Sequence, residues 1–261
     1  MATLPAANFP ALEDIPFAGR IRLTQNNLKN LIERTHFAMA QQDVRYYLNG
    51  LLLEIDGNHL HAVATDGHRL ACCEIEGETD PISLKQQIIV PRKGVQEMLR
   101  LLVESDDEII LKLGDNHVQA MLGKIRFTSK LIDGKFPDYQ RVIPLMGEHV
   151  VIANRMVLRN ALARAAILSS EKYRGIRLLA ENWLLRIQAH NPEQEEAEEE
   201  VEVSYNGGSF EIGFNVTYLL DALGVLAGEL VKLSFTDANS SCLIEDPEGG
   251  NCKYVVMPMK L

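Results

Sequence analysis

Four segments of this chain carry the same helical pattern, and this repeat constrains the fold more than any other feature of the sequence. Each segment places apolar or small side chains at positions i, i+3, i+4 and i+7, which lie on one face of an α-helix. The four sets are Leu28, Leu31, Ile32 and Thr35; Val95, Met98, Leu99 and Leu102; Leu158, Ala161, Leu162 and Ala165; and Val216, Leu219, Leu220 and Leu223. Thr24 and Asn215 are candidate N-caps, and Pro91 suits a helix entrance.

Alternating apolar residues between these segments predict β-strands. Two examples are the stretch Ile109–Leu113 before the turn Gly114–Asn116, and the stretch Val201–Tyr205 before Asn206–Gly208. The order helix, strands, helix, strands occurs twice, which predicts an α+β protein built from two diverged copies of one unit, each with two helices packed on antiparallel sheets. We place the units at residues 16–142 and 146–261, with residues 1–15 as a linker and a joint near Pro144–Gly147.

The composition is that of a compact globular protein, with 46% hydrophobic and 24% charged residues in 261. No apolar run approaches the roughly 18 residues that span a bilayer, and the first residues lack a signal-peptide pattern. These features predict a cytoplasmic protein. The four cysteines form neither a disulfide framework nor a zinc-ligand spacing, so we expect free thiols, no metal and no cofactor.

The formal net charge of -10 argues against a tight, sequence-reading DNA-binding protein, because phosphate neutralisation needs basic surface. Basic residues nevertheless gather on three of the helical segments, while the stretch Glu193–Glu202 is strongly acidic. The basic residues are Lys29, Arg34, Arg92, Lys93, Arg100, Arg155, Arg159 and Arg164. Two interpretations remain open from composition alone: ordinary solvated helix faces, or a locally positive surface that attracts phosphate.

Long stretches of the chain closely resemble the bacterial beta sliding clamp family. They are Gln42–Gly50, Ala64–Leu70, Val90–Gly94, Phe127–Leu131, Phe136–Tyr139, Asn191–Glu199 and Tyr254–Leu261. The resemblance covers nearly the whole chain and implies a non-enzymatic, ring-forming processivity factor that tethers DNA polymerase and repair proteins to duplex DNA. Family members have three such domains and form a ring of two subunits, and this chain resembles the last two domains.

The resemblance also implies three sites. A pocket for partner peptides, of Gln-Leu-x-Leu-Phe type, would combine Leu48, Thr65, Gly67, His68, Arg69, Leu70, Pro137, Arg141, Val142, Asn215, Tyr218, Ser241, Val255, Val256, Met257, Pro258 and Met259. Contact with duplex DNA, without base reading, would fall on Gln42, Arg45, Tyr46, Tyr47, Arg92 and Lys93. A subunit interface would use Ile167, Leu168, Glu193, Glu195, Glu196, Glu198 and Glu199. The implied partners are DNA polymerase subunits, the clamp loader and repair proteins.

Several alternatives stay open at this level. The loop Asp66–Arg69 could use His68 as a general base, but no nucleophile stands at a readable spacing, and a polar turn is the simpler interpretation. Val255–Met259 could be a core strand as well as a pocket wall. A truncated module that binds partner peptides without encircling DNA is the alternative function. For self-association we expect a monomer or weak oligomer, because Gly19–Arg22 offers only part of a basic edge, although three chains could form a six-domain ring.

Overall fold

The structure is a computed structural model that describes residue 5 and residues 16–79, 86–144 and 147–260. The predicted linker at residues 1–15, apart from residue 5, lies outside the described residues. So do Leu145 and Met146 of the predicted joint, and the last residue, Leu261.

The described residues of the first unit form two α-helices and nine strands. In chain order these are β1 (Gly19–Thr24), α1 (Gln25–Glu33), β2 (Gly50–Asp56), β3 (His59–Thr65), β4 (Arg69–Glu76), β5 (Glu78–Thr79), β6 (Gln86–Pro91), α2 (Arg92–Leu101), β7 (Glu108–Leu113), β8 (His117–Leu122) and β9 (Ile125–Lys130). Single 3₁₀ turns form at His36–Ala38, Tyr46–Leu48 and Tyr139–Val142.

The second unit repeats this order. Its elements are β10 (His149–Asn154), α3 (Arg155–Ala165), a 3₁₀ turn at Ala166–Leu168, β11 (Gly175–Glu181), β12 (Leu184–His190), β13 (Glu196–Ser204), β14 (Phe210–Asn215), α4 (Val216–Val225), β15 (Leu230–Phe235), β16 (Cys242–Glu245) and β17 (Cys252–Val256). The predicted α+β class with two repeated units of two helices each is therefore confirmed.

Three of the four helices begin at a polar residue that ends a strand. The Thr24 hydroxyl accepts a hydrogen bond from the Asn27 N–H at 3.1 Å, and the Asn154 and Asn215 side chains accept bonds from N–H groups of the following turn. Each cap satisfies a donor that the first helical turn cannot pair internally. The apolar faces point inward, and Leu28, Leu158 and Leu219 are at most 1% exposed.

Each unit holds two antiparallel sheets with the same connectivity. In the first unit β1, β7, β8 and β9 pair in that order, and β6, β2, β3 and β4 form the other sheet. In the second unit the corresponding orders are β10, β15, β16, β17 and β14, β11, β12, β13. The pair of helices in each unit packs over these sheets.

The two units are joined edge to edge by antiparallel pairing of β4 with β17, which we call the seam. Five residue pairs, from Cys252↔Cys73 to Val256↔Arg69, form this ladder. Within the second unit, a short pairing of β10 with β13 at Ile152↔Ser204 and Ala153↔Val203 also joins its two sheets. Together with the seam, this pairing gives one sheet of twelve strands that runs through both units. The seam therefore fixes the units as neighbours through backbone hydrogen bonds and not only through side-chain packing.

The expectation of four free thiols is wrong for two of the cysteines. Cys73 and Cys252 form a disulfide across the seam, with their Cα atoms 4.1 Å apart. They are directly opposite each other in the ladder, and the bond from the Glu74 N–H to the Asn251 carbonyl lies just beside them. The two residues are separated by 179 positions in the sequence, so spacing alone could not reveal their contact. Cys72 and Cys242 remain free.

Among the helices of the described residues, none combines the length and apolar character that crossing a membrane requires.

Candidate functional site at the seam

A cavity of about 250 Å³ opens beside the seam, and both units line it. Its walls are Arg45, Leu48, Thr65, Gly67, Arg69, Leu70, Pro137, Asp138, Tyr139, Val142, Val255 and Met257. Nine of these belong to the predicted peptide pocket. Leu48, Leu70 and Val255 are almost fully buried and form an apolar floor, whereas Val142 and Met257 are exposed at the rim. A floor of this kind accepts aliphatic or aromatic anchors from a short peptide.

The Thr65–Arg69 loop is a tightly bonded turn. One Asp66 carboxylate oxygen accepts hydrogen bonds from the N–H groups of His68 and Arg69, at 2.9 and 3.0 Å. The Thr65 hydroxyl donates to the Arg69 carbonyl at 2.6 Å and accepts from the Gly67 N–H. Gly67 has φ of +89°, a conformation that glycine adopts without strain. This bonding favours the polar-turn interpretation, because Asp66 bonds to backbone and to Arg69 and does not orient an imidazole.

Arg69 connects the cavity to both units. Its guanidinium donates to Asp66 at 3.1 Å, to the Phe37 carbonyl at 3.0 Å, and to the Asp221 carboxylate on α4. The same group lies 4.6 Å from the ring centroid of Tyr218 and 5.3 Å from that of Phe37, a geometry suited to cation–π attraction. Arg69 is therefore fixed on several sides, and its positive charge is already paired with the carboxylates of Asp66 and Asp221.

We expect Asp221→Asn to lower the free energy of unfolding by about 1–2 kcal/mol, since it removes a charge-assisted hydrogen bond from a mostly buried guanidinium. Chemical denaturation of the two proteins measures this difference. The control is Glu97→Gln, which breaks an exposed pair with Arg100 on α2 and should change stability by less than about 0.5 kcal/mol. Equal effects of the two substitutions would contradict the special role of Arg69.

The final strand contributes two different faces. Val255 lines the cavity, while Tyr254 and Val256 point the other way into the main core. The core-strand and pocket-wall interpretations thus describe opposite faces of β17. Beyond β17 the Met257 N–H donates to the His68 carbonyl at 2.9 Å, and the Met259 N–H donates to the Gly213 carbonyl on β14 at 2.9 Å. The tail is thus anchored to both units.

Other residues of the predicted pocket lie around the cavity rather than in its walls. His68 and Tyr218 stack with centroids 6.5 Å apart, and burial raises the pKa of the Tyr218 hydroxyl. Asn215 caps α4. Pro258 and Met259 line a separate groove of about 480 Å³ beside β14, together with Asn239. Ser241 is half-buried just before β16, and the exposed Arg141 pairs with Asp138 at 2.8 Å.

The residues predicted to contact DNA come together on one side of the first unit. Gln42, Arg45, Tyr46 and Tyr47 lie in the segment before β2, and the Arg92 N–H at the start of α2 donates to the Asn49 carbonyl at 3.1 Å. Lys93 is exposed beside it. The rings of Tyr46 and Tyr47 lie edge to face, with their centroids 5.9 Å apart.

The guanidinium groups of Arg45 and Arg92 already form hydrogen bonds within the protein, which the sequence does not show. Arg45 forms a two-bond pair with Asp43, whose pKa it lowers to about 2, and it also donates to the Asp66 carbonyl at 3.3 Å. Arg92 donates to the Met39 carbonyl at 3.2 Å. Arg45 therefore borders the predicted peptide pocket as well as the predicted DNA contact.

The residues predicted for a subunit interface lie in the second unit, in the 3₁₀ turn after α3 and on or just before β13. Ile167 is 76% exposed, Leu168 is half-buried beside it, and Glu196, Glu198 and Glu199 lie on β13. Glu193 and Glu195 occupy the loop before that strand. Arg164 donates to both carboxylate oxygens of Glu199 at 2.8 and 2.6 Å, which ties α3 to the acidic strand and lowers the pKa of Glu199.

Sequence reasoning missed four residues of this region: Arg45 as a cavity wall, Asp138, Tyr139 and Asp221. Tyr139 is almost fully buried, and its hydroxyl lies 3.3 Å from the buried carboxylate of Glu54. Asp221 lies on α4, which carries no Lys or Arg, whereas each of the other three helices carries at least one. This departure was a signal for a specific partner of Asp221. No local pattern indicates that Arg45 reaches the Asp66 loop, because that contact depends on the three-dimensional path of the chain.

Two α+β units joined through a continuous sheet, with a cavity at their seam, match the arrangement of solved DNA sliding clamps. The family model of the DNA polymerase III beta subunit central domain matches residues 22–138, and that of its C-terminal domain matches residues 140–260. The chain belongs to the beta sliding clamp family. Its members are non-catalytic processivity factors of DNA replication, and this chain is one of them.

The relatives support this assignment along the whole chain. The beta sliding clamp of Pseudomonas aeruginosa is 56% identical over 261 residues, which cover 100% of this chain and 71% of the relative. The crystal structure of the P. aeruginosa DNA polymerase III beta subunit has the same identity and coverages with a TM-score of 0.96. A P. aeruginosa clamp bound to griselimycin matches with a TM-score of 0.93 over 99% of this chain and 70% of that one.

Proposed function

We propose that the seam cavity receives short peptides of DNA polymerase subunits, the clamp loader and repair proteins, while the helices of residues 16–142 and 146–261, the two proposed domains, face duplex DNA. The observation that carries the proposal is the cavity itself. Apolar side chains from both units form its floor, and the backbone of the Thr65–Arg69 loop forms one rim. Such a site binds many partners, because a few anchors and backbone contacts suffice.

The proposed DNA contact is electrostatic and does not read bases. Lys93 and Arg92 stand beside the Gln42–Tyr47 segment, and with a net charge of -10 the chain as a whole opposes phosphate. Binding to short duplexes should therefore be weak and fall steeply with salt. A protein of this kind would act in the cytoplasm, where the bacterial chromosome is replicated.

The proposed self-association surface consists of Ile167, Leu168 and the acidic residues Glu193, Glu195, Glu196, Glu198 and Glu199. Its exposed isoleucine next to a carboxylate-rich strand is suited to a basic partner edge. The alternative of a module that binds peptides without encircling DNA gains no support from the relatives, which are sliding clamps along their matched length.

A labelled peptide of Gln-Leu-x-Leu-Phe type should bind with a Kd of roughly 1 μM, near −8 kcal/mol, in a fluorescence anisotropy titration. Val142→Ala should weaken binding roughly fivefold, because about 1 kcal/mol of apolar contact at the cavity rim is lost. Val150→Ala is the matched control, since Val150 is similarly exposed but lies on β10 outside the cavity. A peptide that binds wild type and the Val142 variant equally would refute the site.

A further inference from the structure

A second cavity, of about 220 Å³, reaches the seam on the other face of β17. Cys252 and Tyr254 line it, whereas Val255 between them in the strand order lines the seam cavity. Arg34 at the end of α1, the end of α4 and the turn before β17 form the remaining walls of this cavity, which we call the Cys252 cavity. Its volume is that of about seven water molecules in the liquid, which suits a ligand the size of one amino acid.

The two sulfurs of the seam disulfide are not equally accessible. Cys252 lines the Cys252 cavity and is 6% exposed, whereas Cys73 is 1% exposed and is not among the cavity walls. The free Cys72 lies on the other face of β4 and borders a different cavity. In thiol–disulfide exchange a thiolate attacks one sulfur and releases the other as a thiolate. A thiolate from solvent can therefore reach Cys252 but not Cys73.

The neighbours of the disulfide favour Cys73 as the sulfur that leaves. The Tyr254 hydroxyl lies 3.7 Å from the Cys73 sulfur, and it is the donor because a disulfide sulfur carries no proton. The Cys252 sulfur instead lies 3.7 Å from the Asn251 side-chain oxygen, whose amide nitrogen donates to the Glu74 carbonyl at 2.6 Å. A carbonyl oxygen repels a thiolate and a hydroxyl donor stabilises one, so attack at Cys252 with departure of Cys73 is the favoured direction.

The charges of the Cys252 cavity indicate which thiols fit it. Within the part of the chain that the structure describes, the Arg34 side chain forms no ion pair or hydrogen bond. Asp246 also lines the cavity, and one of its carboxylate oxygens accepts the Glu248 N–H at 2.9 Å. Burial raises the pKa of Tyr254 and the charge of Arg34 partly opposes this rise, so the field of the guanidinium reaches the disulfide. One cation and one anion suit a ligand with both a carboxylate and an ammonium group.

We propose that a small amino-acid thiol, such as L-cysteine, binds in the Cys252 cavity and exchanges with the seam disulfide at Cys252. The ligand carboxylate pairs with Arg34 and its ammonium group with Asp246. The ligand sulfur bonds to Cys252 as the Cys73–Cys252 bond breaks, and Cys73 leaves with the electron pair and takes up the proton that the thiol gave to solvent. The ligand sulfur is oxidised and Cys73 is reduced, so no further oxidant is needed. Only the supply of such thiols rests on the proposed cytoplasmic location.

Peptide mass spectrometry of the oxidised full chain tests the direction of exchange. After treatment with L-cysteine, an acid quench and alkylation, the adduct should be on Cys252 and the alkyl group on Cys73. An adduct on Cys73 with an alkylated Cys252 would overturn the proposal. So would a protein that forms no Cys73–Cys252 disulfide under mild oxidation.

Exchange rates test the recognition of the ligand. The rates for L-cysteine and 2-mercaptoethanol are each divided by the rate of the same thiol with a linear-peptide disulfide. The normalised rate should be about fivefold higher for L-cysteine, the size of effect that an exposed ion pair supports. Arg34→Gln should remove this preference. Lys253→Gln is the matched control, because it removes a cation next to Cys252 that lines another cavity. Equal normalised rates in wild type, or a preference that survives Arg34→Gln, would refute binding in the cavity.

Tyr254→Phe separates the leaving-group contact from ligand recognition. The variant keeps the ring that packs against Phe37 but lacks the hydroxyl donor to Cys73. Exchange should slow about fivefold with both thiols, and the preference for L-cysteine should persist. Circular dichroism before thiol addition checks that the variant is folded. An unchanged exchange rate in the folded variant would show that Tyr254 does not assist the departure of Cys73, against the proposed direction.

Discussion

Removal of residues 257–261 is expected to weaken partner-peptide binding at least tenfold and to bring it close to the detection limit. Met257 forms part of the cavity wall, and its N–H donates to the His68 carbonyl at the rim. Loss of one buried anchor contact costs about 1.5–3 kcal/mol, and the truncation also frees the Gly213 carbonyl that Met259 engages. Isothermal titration calorimetry measures the change.

The control for this experiment is Lys253→Ala, which alters an exposed residue on the same strand without touching the cavity. Circular dichroism should show that the truncated protein remains folded, because β17 itself is retained and the core residues Tyr254 and Val256 are unchanged. Unaltered peptide affinity in the folded truncated protein would place the binding site elsewhere.

Reduction of the Cys73–Cys252 disulfide is expected to lower the melting temperature by roughly 10 °C. The disulfide closes a loop of 179 residues, and constraint of an unfolded loop of that size corresponds to about 4–5 kcal/mol in the chain-entropy description. For a protein of this size each kcal/mol shifts the melting temperature by about 2–4 °C. Calorimetric scans with and without reductant give the difference.

With or without reductant, Cys252→Ala should have the melting temperature of the reduced wild-type protein. Cys72→Ala should behave as wild type in both scans. Cys72 is a suitable control because it neighbours the disulfide on β4 but remains a free thiol, and burial raises its pKa to about 12. Alkylation of denatured, unreduced protein should modify two cysteines. Modification of all four, with identical melting in both conditions, would show that the seam is not covalently closed.

The helices could be predicted from the sequence because their signal is local. The apolar period and the caps at Thr24 and Asn215 lie within a few residues of each helix, and the structure places both caps as expected. The repeat of the unit followed from the same periodicity. Agreement of local pattern and tertiary packing in these segments is the reason why prediction succeeded there.

Contacts between distant strands could not be predicted in the same way. Alternation identifies a strand but not its neighbours, so the opposition of Cys73 and Cys252 required the topology. Nor does the sequence show that Asp221 pairs with Arg69, 152 positions earlier. For the pocket, the resemblance supplied the residue set, and the structure showed which of them line one cavity.

Arg45 stands at both the proposed peptide pocket and the proposed DNA contact, and this position would couple the two binding events. Its guanidinium is shared between Asp43 and the carbonyl of Asp66, and Asp66 in turn holds Arg69 at the cavity wall. An Arg45 that moves to a DNA phosphate gives up these bonds, so DNA and peptide would favour different arrangements of the same side chain. Such a coupling is reciprocal: whatever factor DNA imposes on peptide affinity, the peptide must impose on DNA affinity. Exchange of a polymerase peptide for a repair peptide would then also change the affinity of the clamp for duplex DNA.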